Sequence, residues 1–264
     1  MTRGRLPIPL FPALRSGDAA AVDPAAVVDP GRRRWLRTAA VSPAALMLGA
    51  CASPAFLPGP ATPPPMPVAR VGQRWRYQRI NQYNGQSLGI HTYTVTRVDG
   101  PQVIVTLTDG DGSTIGQERY EAPWRVIDDL GFDMPQHFAR PVPHLPPVLQ
   151  AGARETLSTT YQVPGNSSSL AWSQWLTAQG WERITVPAGT YDCLRIERRI
   201  RFRHNDVFRE WPERSETIWY APAVERWVQR EWTGIYYWPG VPPTRLREDW
   251  ITSRLIDHTA APIS

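Results

Sequence analysis

The 264-residue sequence contains no lysine; all 29 of its basic residues are arginine. That absence excludes several chemistries at once. A Walker-type phosphate loop needs its Lys, a pyridoxal Schiff base needs a Lys amine, and a Ser–Lys nucleophile pair needs both partners. Cysteine is almost absent as well. Cys51 and Cys193 cannot build a Cys₄ zinc site or a disulfide framework. No apolar run approaches the ~20 residues of a membrane-crossing helix. Nor does any stretch carry a 3.6-residue apolar period behind a helix-capping residue. There is no Gly-x-Ser-x-Gly elbow, and His91, His137, His144, His204 and His258 never take the spacing of a zinc-binding helix. No catalytic residue, metal ligand or cofactor is assigned from the sequence.

The formal charge of +5 divides unevenly. Seven Arg and three Asp precede residue 51, which leaves +4 in the leader. The other 22 Arg face 21 acids, which leaves +1. The folded part has no overall excess of positive charge to draw phosphates, so nucleic acid is not expected as a partner.

The leader has an organisation of its own. Arg32-Arg33-Arg34-Trp35-Leu36-Arg37 is a basic n-region, and residues 38–50 form a short apolar h-region that ends at Leu48-Gly49-Ala50-Cys51. These four residues resemble the bacterial lipobox. The resemblance implies that a diacylglycerol is attached to the Cys51 thiol and that the leader is cut before it. Each buried methylene of such an anchor contributes ~0.8 kcal/mol, so two or three chains hold stably. Arg32 and Arg33, followed by Trp35 and Leu36, also resemble the twin-arginine export motif; an ordinary secretory n-region is the alternative. Residues 1–30 fit neither pattern and are either an extension or the result of a start assigned too early. Ala52 at the position after the lipidated Cys implies outer-membrane sorting, so the membrane is the first expected partner.

After the cut the chain changes character. Residues 51–67 hold seven prolines, at 54, 58, 60, 63, 64, 65 and 67. Proline at this density favours extended polyproline II. The expectation is a spacer that holds the following domain, residues 68–264, several nanometres off the bilayer.

That domain reads as all-β. Asn84-Gly85, Asp99-Gly100 and Asp109-Gly110 are hairpin dipeptides between period-two stretches, which predicts a meander of four strands. Asp109 to Ser113 has some of the look of a calcium loop, but Tyr120 stands where the last carboxylate is needed, so a hairpin turn is expected. Residues 123–152 open on Pro123, hold five further prolines at 135, 141, 143, 146 and 147, and read as a long loop with one short strand at Trp124 to Ile127. Strands resume at Arg154. An echo between Val71-Gly72 and Ala151-Gly152 suggests two related halves. The expected architecture is a curved antiparallel sheet or half-open β-barrel.

Val186-Pro187-Ala188-Gly189-Thr190-Tyr191 and Trp219-Tyr220-Ala221-Pro222 resemble the signature of an uncharacterised family of proteobacterial envelope lipoproteins. That family is similar in turn to the half-open barrels of lipoprotein carriers such as LolA. The resemblance implies an apolar concavity and a binding role. Two positions depart from the pattern: Tyr191 replaces Phe, and Glu225 stands where Gly is expected, which predicts a looser turn.

Six of the twelve tryptophans lie between Trp211 and Trp250. Trp219, Trp227, Tyr236, Tyr237 and Trp238 are the candidate contacts for a lipid, glycan or protein partner. Core packing is the competing reading, because large aromatics are good cross-strand neighbours. Arg195 to Arg203 alternates so that Arg195, Glu197, Arg199, Arg201 and Arg203 share one face, expected to pair with Glu210, Glu213 and Glu216 or to bind an acidic group. Cys193 reads as buried and inert. Asp128 and Asp129 are adjacent, so in a strand they face opposite ways; His137 and His144 share the proline-rich loop. A hydrolase built on these four groups is the minor alternative to a lipid-anchored, non-catalytic binding domain, and an accessory subunit of an envelope assembly is the third reading.

Overall fold

The computed structural model describes residues 56–261. The lipobox residues Leu48, Gly49, Ala50 and Cys51 and the Arg32-Arg33 pair lie outside the described residues. Twelve strands follow one another along the chain. The first half comprises β1 (Arg74–Asn81), β2 (Ser87–Asp99), β3 (Gln102–Thr108), β4 (Thr114–Glu121), β5 (Arg125–Asp129) and β6 (Gln136–Pro143). The second comprises β7 (Arg154–Gln162), β8 (Leu170–Val186), β9 (Gly189–Phe202), β10 (Glu210–Ala221), β11 (Arg226–Trp238) and β12 (Thr244–Thr259). The only helical piece among the described residues is a 3₁₀ turn, Pro222–Val224.

The all-β reading holds, and the sheet goes further than the half-open alternative. Each strand pairs antiparallel with its chain neighbour, and β1 pairs with β12 from Arg74↔Thr259 to Asn81↔Ile251, so the barrel closes. Closure leaves neither end strand with a row of unpaired N–H and C=O groups. The three hairpins expected at Asn84-Gly85, Asp99-Gly100 and Asp109-Gly110 join β1 to β4 as the sequence suggests, with Gly85 and Gly100 at positive φ. In the third, the Asp109 carboxylate accepts hydrogen bonds from the backbone N–H of Asp111 and Ser113 at 3.0 and 2.9 Å, the geometry of a turn. The echoed dipeptides stand at matching places. Gly72 and Gly152, both at positive φ, each precede by two residues an Arg that opens a six-strand half.

Two expectations need correction. The proline-rich stretch 123–152 contains two strands, not one short strand in a long loop. Pro141 and Pro143 are tolerated because β6 pairs with β7 only at His137 and Phe138, so few ladder donors are lost. The tether is also not a free spacer from residue 56 onward. The Leu57 amide donates to the Trp181 carbonyl at 2.6 Å, Phe56 lies on Gly180, and Pro67 is buried. Met66 and Ala69 pack against the core, and the Gly72 amide reaches the Val95 carbonyl at 2.9 Å. Trp181 belongs to β8 and Val95 to β2, on opposite sides of the barrel in the strand order. Residues 56–73 therefore form a strap across one barrel end, here called the tether end. The other is the loop end, where the β9–β10 and β11–β12 connections lie.

The interior is filled. Trp227 stacks on Tyr77 with ring centroids 3.6 Å apart, Tyr93 packs edge-on to both, and Trp124 is edge-on to Trp75 and Tyr120. Such aromatic pairs contribute about 0.5–1.5 kcal/mol each beyond area burial. Among these rings sit four buried arginines, Arg198, Arg214, Arg226 and Arg230, with four buried acids, Glu118, Asp129, Glu216 and Glu248. Glu216 accepts from both Arg198 and Arg230. Glu248 takes a two-point contact from Arg214 at 2.5 and 3.1 Å, and Arg214 also reaches Asp133 at 2.7 Å. Arg226 has no carboxylate partner among the described residues; the rings of Trp124, Trp75 and Tyr93 lie 4.5–4.9 Å from its guanidinium carbon. Its charge is thus held mainly by aromatic quadrupoles.

Glu225 shows how a side chain is accommodated at a left-handed position. It occupies the left-handed region at φ 56°, where Gly is expected. The strap fastens it: Arg70 and Gln73 donate to its carboxylate at 2.9 and 2.7 Å. Its carbonyl accepts from the Trp124 indole at 3.0 Å. The turn is pinned where a looser one is expected.

Candidate functional site

The apolar concavity implied by the LolA-like resemblance does not appear inside the barrel. The cavity between Tyr120, Trp124, His144 and Arg226 is only about 10 Å³, too small for an acyl chain. A hollow of about 270 Å³ opens at the loop end, but its inner lining is charged, with the buried Arg214 and Glu248 beside Trp232. Two larger hollows lie on the outer wall. One of about 600 Å³ is lined by Arg154, Trp175, Thr177, Gln179, Glu197, Arg199 and Arg201. A second, of about 430 Å³, is lined by Tyr83, Thr233, Gly234, Arg245, Arg247 and Trp250. Both reach Glu213 and Ser215, so they join into one groove across β7 to β12.

The groove arises from strand parity. On β8, Gln174 and Leu176 point inward and bury, so Trp175 between them points out. On β9, Arg198 and Ile200 face the core, which sends Arg199 and Arg201 outward. On β11, Gly234 faces inward, where a Cβ would come within 2.3 Å of the buried Glu248 carboxylate, so its missing side chain makes room for the Arg214–Glu248 pair.

Five outward-facing arginines (154, 199, 201, 245, 247) and two glutamates (197, 213) give the groove wall a formal net charge of +3; a sixth lining arginine, Arg214, is buried and paired with Glu248 and Asp133. Arg201 is paired with Glu213 at 2.7 Å, and Glu197 with Arg195 at 3.0 Å. Arg154, Arg199, Arg245 and Arg247 have no ion-pair partner among the described residues. An aromatic stands toward each end: Trp175, with the Arg201 guanidinium 5.8 Å from its ring, and Trp250, edge-on to Tyr83 at 5.8 Å. Unpaired guanidinium groups beside exposed aromatic faces can hold carboxylates or phosphates while sugar rings stack.

The expected partners of the Arg face divide. Glu213 pairs as expected. Glu216 does not, because its parity with Arg214 and Ile218 turns it inward onto Arg198 and Arg230. Glu210 makes no ion pair among the described residues.

The aromatic candidates also divide. Trp227 is core, stacked on Tyr77, and Trp219 is half-buried against core residues. Packing thus covers Trp227, whereas Trp219, between the inward Ile218 and Tyr220, keeps a partly exposed outer face. Tyr236, Tyr237 and Trp238 do reach the loop end. Trp238, 44% exposed, stacks on Phe208 at 5.0 Å, and Tyr237 lies edge-on to Trp211 at 6.1 Å. Trp211 is 68% exposed and holds φ 44°, a strained backbone for a tryptophan. Sequence reasoning missed Phe208 and Trp211 because their approach to Trp238 depends on two hairpin tips meeting.

Of the four candidate hydrolytic groups only Asp128 and His137 are brought together, on the outer face; Asp129 and His144 are buried away from them. Asp128 faces outward, with His137 Nδ1 at 2.6 Å and Arg119 at 2.9 Å, whereas Asp129 is buried inside. His137 and His144 sit at opposite ends of β6. Burial first, and the Arg198, Arg230 and Arg226 charges after it, hold the His144 imidazole well below its usual pKa. No group of three or more metal-ligating side chains occurs among the described residues.

No protein-family model matches the sequence, and no curated protein does. Among solved structures the chain is similar to one described as an exported protein with a YmcC-like fold from Bacteroides fragilis. That match has 16% identity over 75% of this chain and 100% of that one, with a TM-score of 0.44. A second is described as a lipoprotein from Parabacteroides distasonis (15% identity, 72% and 96% covered, TM-score 0.45). A third is the hypothetical lipoprotein YmcC from Escherichia coli (12% identity, 72% and 86% covered, TM-score 0.42).

Proposed function

We propose that this chain is a bacterial envelope lipoprotein, anchored through Cys51 in the outer membrane and facing the periplasm, whose barrel binds an anionic glycan in the outer-wall groove and does no chemistry. The lipobox and leader support the anchor. The groove carries the binding reading: four arginines without an ion-pair partner among the described residues spread over β7, β9 and β12, with Trp175 and Trp250 toward its ends. The inner hollows do not suit a lipid cargo: one is only about 10 Å³, and the other, of about 270 Å³, is lined by Asp133, Arg214 and Glu248.

Titration calorimetry with oligogalacturonate tests this reading, with a neutral malto-oligosaccharide of equal length and phosphatidylglycerol vesicles as alternatives. Binding of the uronate, lost at least tenfold in Arg199→Glu and in Trp175→Ala, is expected; tenfold corresponds to about 1.4 kcal/mol. Preference for the vesicles would assign the groove to a lipid headgroup. Binding that ignores both substitutions would overturn it.

A second reading, an accessory subunit of an envelope assembly, is favoured by the loop-end cluster of Phe208, Trp211 and Trp238. An exposed apolar cluster of this kind is a common protein-contact feature.

A further inference from the structure

The strap sets how far the barrel can stand from its own anchor. Phe56 is already docked on β8, and only residues 52–55 separate it from Cys51. Five residue steps reach at most about 18 Å even when fully extended. A lipid on Cys51 therefore holds the tether end within a short reach of the bilayer.

Exposed apolar residues collect at that end. Phe56, Leu57, Val68 and Val71 belong to the strap, and Val148 to the β6–β7 connection that opens there. Arg74, exposed at the start of β1, has no ion-pair partner among the described residues. Small apolar side chains beside a free guanidinium suit the boundary between acyl chains and anionic headgroups. The loop end, with Val207, Trp211 and Val241 exposed, lies one barrel length away.

We infer that the tether end of the barrel rests on the lipid bilayer, with Val68, Val71 and Val148 at the acyl boundary and the loop-end aromatics directed away from it. The strap is then a docking foot, not a spacer. This inference rests on the lipidation of Cys51 proposed above.

The test uses the full chain, expressed with its leader, extracted from membranes and reconstituted in phosphatidylethanolamine–phosphatidylglycerol vesicles. Nitroxide labels are placed at Val71→Cys, Val148→Cys, Val207→Cys and Val241→Cys, all at exposed positions; Cys193 is buried. Power saturation reports depth. Labels at 71 and 148 should be oxygen-accessible and shielded from an aqueous nickel chelate, and those at 207 and 241 should show the reverse. Intact mass of the same preparation reads the lipid. A mass without diacylglycerol overturns the anchor and this orientation with it. A lipidated protein whose labels at 71 and 148 are as aqueous as those at 207 and 241 overturns the orientation alone.

Discussion

The ring of Phe56 lies directly on Gly180, so close that a Cβ at Gly180 would meet the ring's Cγ at 2.3 Å. Gly180 sits at the bulge in β8 where pairing with β9 shifts between Ala178 and Gly180. A missing side chain and a local bulge together make the seat on which the strap begins. Gly180→Val should therefore unseat residues 56–60 while leaving the barrel closed. The expected readout is faster amide exchange at Leu57 and new protease cleavage near Pro58, with a stability loss of about 1–3 kcal/mol, the usual cost of overpacking. Unchanged exchange at Leu57 would show that the seat is elsewhere.

Glu216 is the hub of the interior. It is fully buried between Arg198 and Arg230, and its carboxyl is held below its usual pKa by those two guanidinium groups against the opposing pull of burial. Glu216→Ala would leave two buried positive charges uncompensated. Losing one partner of a buried ion pair costs about 3–5 kcal/mol, so urea unfolding should show a loss of that order. A change below about 1 kcal/mol would mean that Asp129 or Gln174 takes over the pairing.

Glu118 has the opposite sign. Burial first and the neighbouring Asp129 carboxylate second push its carboxyl up to about 7, although Tyr120 donates to it. Between the ordinary value of 4.5 and about 7 the folded state binds more protons than the unfolded one. This group's contribution to stability is therefore present at low pH and falls as pH rises through that window. Glu118→Gln should flatten this part of the stability profile and gain stability at pH 8 relative to the parent. An unchanged slope between pH 4.5 and 7 would refute the assignment.

Cys193 is fully buried in β9, and burial pushes its thiol up to about 12. Reaction with a thiol reagent at pH 8 should be slow in the native protein, by at least about 100-fold relative to the same protein in denaturant, because the thiolate is the reactive form. Comparable rates in the two states would place the thiol at the surface.

Much of the secondary structure was legible because period two and hairpin dipeptides are local signals. Asn84-Gly85, Asp99-Gly100 and Asp109-Gly110 each mark an observed turn, and β7 begins at Arg154, where strands are expected to resume. Two pieces were not legible. Prolines 141 and 143 look like strand breakers in isolation, and only the sparse pairing between β6 and β7 makes them harmless. Residues 56–67 look like a spacer because proline density reports local stiffness and says nothing of docking on Gly180.

The candidate site divides in the same way. Parity within β9 sends Arg199 and Arg201 to one face, and that much follows from the chain alone. Parity cannot bring Arg154, Arg245 and Trp250 to the same groove, since they lie on strands far apart in sequence. Nor can overall charge reveal the groove: a domain with a formal charge near zero can still gather five arginines against two glutamates on one wall.

The sequence by itself determined an all-β chain, its hairpins and, through the lipobox resemblance, an expected anchor, because each rests on residues near one another along the backbone. Only the tertiary structure decided that the sheet closes, that its interior is filled with paired charges and aromatic rings, and that the strap is docked. Those outcomes depend on contacts between distant strands, where packing volume and charge pairing outweigh local preference.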